Sequence, residues 1–599
     1  MYYLVKDLFR LMSKTQRKRF YGLQVLVILM AFAEIVGVAS IAPFMAVVGD
    51  ASLLEKDNIL ASVYNQSGLE NAYDFLFWLG VMVLFLLGFA SVFSMLTMWL
   101  LSKFAAEFGV EIADRLYSYY MKQPWLFHAS GSTAQLTKQV TTESARVSGG
   151  IILPLMQMNA KLVLAVFIAI VIFVYDPVIA LSGIAIFTLA YLLLYKTVRQ
   201  YIHQNGRTLS EVATLRFRLM NEGFGGIKDV LLLGRNSDFI SRFSKAGKVH
   251  ARSEAVNYTL TYIPRYLMEL IAFGAILGLL LYLIVNFEGD LGQVLPVLSV
   301  YALAGLKLLP AFQQVYGSVA QIKANTAAYE SIRKDLESTI GLCDGDISQQ
   351  TNDVIIPKEI IQIENVTFTY PSREKASLHE ITLDFPVNKV IGIVGPSGSG
   401  KSTVIDVLLG LIPPGKGRLL VDGKEIDSSN CRAWQNTIGF VPQSIFLSEG
   451  SIAENVAFGI AADLIERERV ENAIRMARLE ELIVSFPLGI DTTVGERGVQ
   501  LSGGQRQRIG IARALYHSSE VLVFDEATSA LDGITEKMIM EAIHDFSGKK
   551  TIVMIAHRLK TVKKCDLIYF IDQGRLVDKG TYDSLLESNP VFKNMAEHA

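Results

Sequence analysis

Cysteine is scarce: the 599 residues hold three, Cys343, Cys431 and Cys565, and none has ligand-like spacing. That argues against a thiolate metal site and reads as reduced bystanders in a cytosolic domain. An excess of either charge is lacking too, with 56 Lys and Arg against 58 Asp and Glu, so nothing global argues for nucleic acid as a partner. No cleavable signal peptide is evident, because the basic N-terminus leads into an apolar run long enough to span a bilayer. What is plentiful is hydrophobicity: 51% of residues are hydrophobic and mean hydropathy is +0.35. Long charged stretches remain, so the apolar residues must be concentrated in segments, as in a membrane protein. The length is too great for one core, and at least two domains are expected.

Residues 395–402 read GPSGSGKS, which fits the phosphate-binding pattern G-x-x-x-x-G-K-[ST] between an apolar run (IGIV) and an amphipathic stretch (TVIDVLLGLI). Gly395, Pro396, Ser397, Gly398, Ser399, Gly400, Lys401, Ser402 and Thr403 are therefore expected to hold a nucleotide. The glycines let backbone N–H groups turn around phosphate oxygens, above a helix N-terminus that adds partial positive charge. Lys401 is placed to reach the β- and γ-phosphates and Ser402 to ligand magnesium.

Upstream, six long apolar segments lie near 20–48, 75–101, 151–175, 177–197, 258–287 and 291–315. Each is near or above the roughly 20 residues that a spanning helix needs. Lys6, Arg10, Lys14 and Arg17 precede the first, and Arg199, Arg207, Arg216 and Arg218 lie between the fourth and fifth, whereas the opposite loops carry Asp50, Glu55, Asp176 and Asp290. The basic side is expected to be cytoplasmic. Segments 102–150 and 198–257 should continue the helices into the cytosol, with turns where glycines and small polar residues break the period, at 123–143 and 221–234; their matching positions between spans two and three and spans four and five favour a pair of cytosolic docking elements, the coupling loops, over ordinary loops. Segment 51–73 is expected to hold a short external helix with Leu53, Leu54, Ile59, Leu60 and Val63 as its apolar face.

Downstream, a polar stretch precedes a new domain. The boundaries expected are a membrane domain over 1–325, a linker over 326–356 and a nucleotide-binding domain over 357–599. Tyr370 ends a strand-like alternation and is placed to stack on a purine. Gln443 follows an apolar strand and suits a magnesium shell or an oriented water. LSGGQ (Leu501–Gln505) opens a helix, and its Ser502, Gly503 and Gly504 make a second anion-binding N-terminus. VLVFDE ends in Asp525, which suits the metal's outer shell, and Glu526, positioned to polarise water. His557 tips another strand as a γ-phosphate sensor.

Together these residues resemble the ATP-binding cassette family over the whole chain. The resemblance implies an α-helical membrane domain of six transmembrane helices, of the type I exporter (type IV) fold, followed by an α/β P-loop NTPase cassette. It implies ATP and Mg2+ as cofactors, Tyr370 on the adenine, Gln443 as the Q-loop residue, Ser502 to Gln505 as the signature, and Ser402, Gln443 and Asp525 around the metal. Glu526, His557 and Gln443 become catalytic, Ser529–Asp532 the D-loop, and Thr493–Gly498 the X-loop. Since the signature of one cassette closes on the phosphate loop of another, it implies a homodimer. It also implies an ATP hydrolase coupled to export across a bacterial inner membrane, with N-terminus and cassette cytoplasmic.

Ionisable residues within spans point to a pathway. Glu34, Arg265, Glu269 and Lys307 are the candidates. Arg265 and Glu269, at i and i+4, pair with each other, or Arg265 and Lys307 line a cavity for an anionic headgroup. Segments FAEIVGVASIAPFM and IPRYLMELIAF, with the external helix, look similar to bacterial flippases of lipid-linked oligosaccharides. Membrane lipids and an amphiphilic substrate are the partners implied. The alternative is a drug, lipid A or peptide exporter, and the absence of a peptidase domain before the first span counts against leader-processing peptide exporters.

Overall fold

The computed structural model describes residues 2–49, 54, 59–69, 71–175, 177–286, 291–339, 353–371, 373–495, 501–526, 533–556 and 558–597. The chain divides into two units, 1–123 with 127–344, and 345–599 with 124–126.

The described residues of the first unit form helices α1 (Tyr2–Leu11), α2 (Lys14–Ala39), α3 (Ile41–Gly49), α4 (Ile59–Ser67), α5 (Ala72–Met121), α6 (Trp125–Ser130), α7 (Thr133–Lys138), α8 (Ser144–Val147), α9 (Leu153–Tyr175), α10 (Pro177–Gly225), α11 (Ile227–Leu232), α12 (Asn236–Asn286) and α13 (Leu291–Ser338). A capping box opens α2: the Ser13 hydroxyl accepts from the Gln16 amide while the Gln16 side chain accepts from the Ser13 amide. Helices α5, α10, α12 and α13 have 50, 49, 51 and 48 residues. At 1.5 Å per residue each is over about 70 Å long, more than twice the roughly 30 Å hydrocarbon thickness. They therefore continue far beyond their apolar segments. Among the described residues, Lys14–Gly49, Ala72–Met121 and Thr133–Val174 are long and apolar enough to cross a membrane. The other three apolar segments fall in α10, α12 and α13.

Four details depart from the sequence reading. In the turn expected over 123–143, the breaks fall at Gln123–Pro124 and Gly131–Ser132 with the short helix α6 between them, and from Thr133 the chain is helical to Tyr175, through π-helical turns at Gln139–Glu143 and Ser148–Ile152. Its longer polar side chains, Lys138, Gln139 and Glu143, are buried instead of marking a loop. Glu143, wholly buried, pairs with Lys138 (2.7 Å) and Arg146 (3.1 Å) and accepts from Ser210 (3.0 Å) on α10. Gln139 donates to the Ser331 carbonyl of α13 (3.0 Å). In 221–234 the breaks fall at Gly226 and Gly234, with α11 between them. The external helix exists as α4, but it buries Ala61 and packs Leu60 and Tyr64 beside Leu54, leaving Ile59 and Val63 exposed; Leu53 lies outside the described residues. Finally, residues 326–338 of the expected linker are the last turns of α13.

The second unit is an α/β cassette. Its strands are β1 (Ile360–Phe368), β2 (Leu378–Pro386), β3 (Val390–Val394), β4 (Lys416–Val421), β5 (Lys424–Glu425), β6 (Ile438–Val441), β7 (Gly450–Ser451), β8 (Thr493–Val494), β9 (Val521–Asp525), β10 (Thr551–Ile555), β11 (Leu567–Asp572) and β12 (Arg575–Gly580). Its helices include α14 (Lys401–Leu408), α15 (Cys431–Gln435), α16 (Ile452–Val456), α17 (Arg467–Met476), α18 (Glu480–Ser485) and α19 (Gly503–Tyr516). The main sheet runs β12-β11-β3-β10-β9-β6, parallel from β11 to β6, beside an antiparallel sheet β2-β1-β4-β5. β3 and β10 are buried at every residue, as β-rich apolar runs covered on both faces must be.

Candidate nucleotide site

The register of the main sheet assembles the site. Val441 on β6 pairs with Phe524 on β9, Asp525 on β9 with Ile555 on β10, and Ile555 with Ile393 on β3. The phosphate loop after β3, Asp525 and Glu526 at the end of β9, and Gln443 after β6 therefore leave from the carboxyl ends of nearby parallel strands, where open α/β sheets bind ligands. His557 follows β10 in the chain but lies outside the described residues, as do 496–498 of the X-loop and the D-loop.

The loop itself is wrapped closely by its neighbours. Gly400, the residue before α14, has φ of +104°, and a Cβ there would lie 2.8 Å from the Ser377 carbonyl; only glycine fits. Lys401 is 4% exposed, and its ammonium donates to the carbonyls of Gly395 (3.0 Å) and Pro396 (2.7 Å). Burial lowers its pKa, opposed by the carboxylates of Glu526 and Asp525. Ser399 is buried, and its hydroxyl has no hydrogen-bond partner among the described residues. A cavity of about 1300 Å³ opens beside the loop, lined by Tyr370, Lys401, Ser402, Thr403 and Glu526 among others. The Tyr370 hydroxyl lies 3.3 Å from the Thr403 hydroxyl, and its ring packs edge-on against Phe368.

Gln443 donates through Nε2 to a Glu526 carboxylate oxygen at 2.6 Å. Its carboxamide oxygen takes no part in that bond. Glu526 adopts a left-handed backbone with φ of +52°, a conformation non-glycine residues hold when the surroundings impose it, as at functional sites. Ser402, Gln443 and Asp525 offer hydroxyl, carboxamide and carboxylate oxygens, the hard donors that suit Mg2+. The orphaned Ser399 hydroxyl and the lysine turned onto loop carbonyls fit a loop built for phosphate oxygens.

The signature residues also cap their own helix. The Ser502 hydroxyl accepts from the Gln505 amide (3.3 Å), and the Gln505 side chain accepts from the Ser502 amide (2.8 Å). This is a capping box, legible in S-x-x-Q, and it spends two polar groups on starting α19. Gln573–Gly574, which the sequence reading passed over, forms the turn between β11 and β12. The Gly574 amide donates to the Ser399 carbonyl (2.8 Å), bracing the phosphate loop. The signal was present in the glycine: its φ is +73°, and a Cβ would lie 2.5 Å from the Ser377 carbonyl.

In the membrane unit, the structure brings Glu34 and Lys307 together, at 3.3 Å, with Ser94 donating to the other Glu34 oxygen at 2.8 Å. Lys307 thus has a counterion. Gln313 donates to Glu269 at 3.4 Å, and the Arg265 side chain lies outside the described residues.

Comparison with known proteins matches residues 23–304 to the ABC transporter transmembrane region and 378–529 to the ABC transporter family. The ATP-dependent lipid A-core flippases of Escherichia coli strains K12 and 536 are each 29% identical over 527 residues, covering 87% of this chain and 88% of theirs. The structure of a bacterial Atm1-family ABC exporter with ATP bound aligns at a TM-score of 0.78 and 22% identity, over 98% of this chain and 99% of that one. The last likeness concerns the fold alone.

Proposed function

The chain belongs to the ABC transporter family, an ATP hydrolase coupled to transport, and from that premise we propose a flippase that moves a sugar-bearing lipid across a bacterial inner membrane. The observation that carries the reading is one chain in which helices able to cross a membrane precede a cassette whose phosphate loop, Gln443 and Glu526 meet at one sheet edge. Similarity to lipid A-core flippases over most of the chain supports a lipid cargo.

In this reading Lys401 leaves the loop carbonyls for the β- and γ-phosphates, Tyr370 stacks on adenine and the loop amides cradle the phosphate oxygens. Ser402, Gln443 and Asp525 would hold Mg2+, which neutralises phosphate charge when bound. Glu526, steadied by Gln443, accepts the proton of the water that attacks the γ-phosphorus, and the bridging oxygen leaves with ADP. His557 senses the γ-phosphate. The working unit is a homodimer in which Ser502 to Gln505 of a second copy close on the phosphate loop, so that ATP holds the halves together until hydrolysis. N-terminus and cassette face the cytoplasm by the charge asymmetry of the loops.

A lipid-linked oligosaccharide is the cargo favoured by the sequence, and lipid A-core that of the relatives; both are glycosylated amphiphiles. The test is ATPase stimulation of the purified full-length protein by a polyprenyl-pyrophosphate oligosaccharide, by lipid A and by a neutral drug. Stimulation by one or both glycolipids and not by the drug is expected; stimulation by the drug alone overturns the reading.

A further inference from the structure

The membrane unit carries an uncommon set of carboxamides near the inner ends of its apolar segments. Gln24 on α2, Gln157 and Asn159 on α9, and Gln313 and Gln314 on α13 are each half-buried. They bond across helices: Gln314 Nε2 donates to Gln157 Oε1 at 2.9 Å, Asn159 donates to Gln24, and Gln313 donates to Glu269. The Gln24 Nε2 group is buried with no partner among the described residues. Polar groups at membrane depth are costly and mark function or glue helices together. An orphaned donor contributes nothing as glue.

The tier is rich in neutral hydrogen-bonding groups, five carboxamides beside one cation, Lys161, a turn beyond Gln157 on α9, and one carboxylate, Glu269. One turn or more deeper, about 10 Å along α13 and about 15 Å along α2, the cation Lys307 is already matched by Glu34. Half-exposed carboxamides offer a donor and an acceptor each, the pattern that matches sugar hydroxyls, whereas a phosphate needs donors and positive charge. Resting on the flippase reading, we propose that Gln24, Gln157, Asn159, Gln313 and Gln314 form a binding tier for the sugar portion of the lipid headgroup at the cytosolic-leaflet level.

The experiment uses the full-length protein in lipid nanodiscs and two synthetic probes, a dialkyl lipid bearing a neutral trisaccharide and the same lipid bearing phosphate alone. The readout is the concentration of each that gives half-maximal ATPase stimulation. Replacing both partners of a bonded pair with apolar residues of similar size is tolerated better than breaking it, so the variant is Gln157→Leu with Gln314→Leu. Its half-saturating trisaccharide-lipid concentration should rise about tenfold relative to the phosphate lipid, as expected for two lost hydrogen bonds. An unchanged ratio overturns the sugar tier and leaves the carboxamides as interhelical glue, while the flippase reading stands on the wild-type response. A wild type deaf to the trisaccharide lipid overturns both. Should the double variant not yield folded dimer, Gln24→Met tests the same idea; it removes the unpartnered Nε2 donor together with the oxygen that accepts from Asn159. A rise of about threefold is expected, and none contradicts the proposal.

Discussion

The cassette and the membrane unit place their polar chemistry by different rules. In the cassette, neighbouring parallel strands lie about 4.8 Å apart, so motifs that end β3, β6 and β9 converge whatever their distance along the chain. In the membrane unit, groups distant in the chain meet where long helices face each other. Glu34 finds Ser94 at a separation of 60 residues and Lys307 at 273. The first arrangement creates a reactive edge, and the second neutralises groups that would be costly alone in an apolar medium.

This contrast predicts effects of different size. Glu526→Gln removes only the water-activating carboxylate and keeps a side chain for Gln443. ATP hydrolysis should fall by about 10²–10⁴-fold while nucleotide binding persists; native hydrolysis would show that Glu526 is not the base. Mixing wild-type chains with Ser502→Arg chains should silence hybrid dimers, so activity should drop more steeply than the wild-type fraction. A strictly proportional fall contradicts the shared site.

Breaking the membrane pair should act on stability. Lys307→Ala strands the buried Glu34 carboxylate and should cost about 2–3 kcal/mol, less than a fully buried pair because Lys307 is partly exposed. Glu34→Gln with Lys307→Met should recover most of that. If the single and double variants melt together, the pair is not what stabilises this region.

The smallest effect belongs to Asp406 on α14. Burial, with Asp525 as a second negative charge, pushes its carboxyl up to about 6. A carboxyl raised in the folded state contributes stability at pH below about 4 that is lost as pH rises through about 6. Asp406→Asn should therefore stabilise the protein at neutral pH by about 1 kcal/mol, allowing for part exposure, or roughly 2–4 °C in melting temperature. It should also flatten the slope between about pH 4 and 6. An unchanged melting temperature at neutral pH removes the argument.

The same contrast explains what was legible. GPSGSGKS, Gln443 and the Asp525–Glu526 pair are local patterns whose strand context is also local, and the sheet register then brings them together without further information from sequence. Ser502 and Gln505 are legible as a motif, and the same S-x-x-Q spacing encodes the capping box that their geometry shows. Lys307 looked like an available cation because its partner lies on a helix far away in the chain. The inward polar residues of 133–147 looked like a loop for the same reason: Ser210 and Ser331, which satisfy them, belong to α10 and α13.

The central claim is that ATP hydrolysis at Glu526 drives a sugar-bearing lipid across the bilayer. Its most direct test is a vesicle assay in which a fluorescent lipid-linked oligosaccharide or lipid A, initially in the cassette-facing leaflet, is followed into the opposite leaflet. The account predicts transfer with wild-type protein and ATP, and none with Glu526→Gln or without nucleotide. Equal transfer in all three would contradict it.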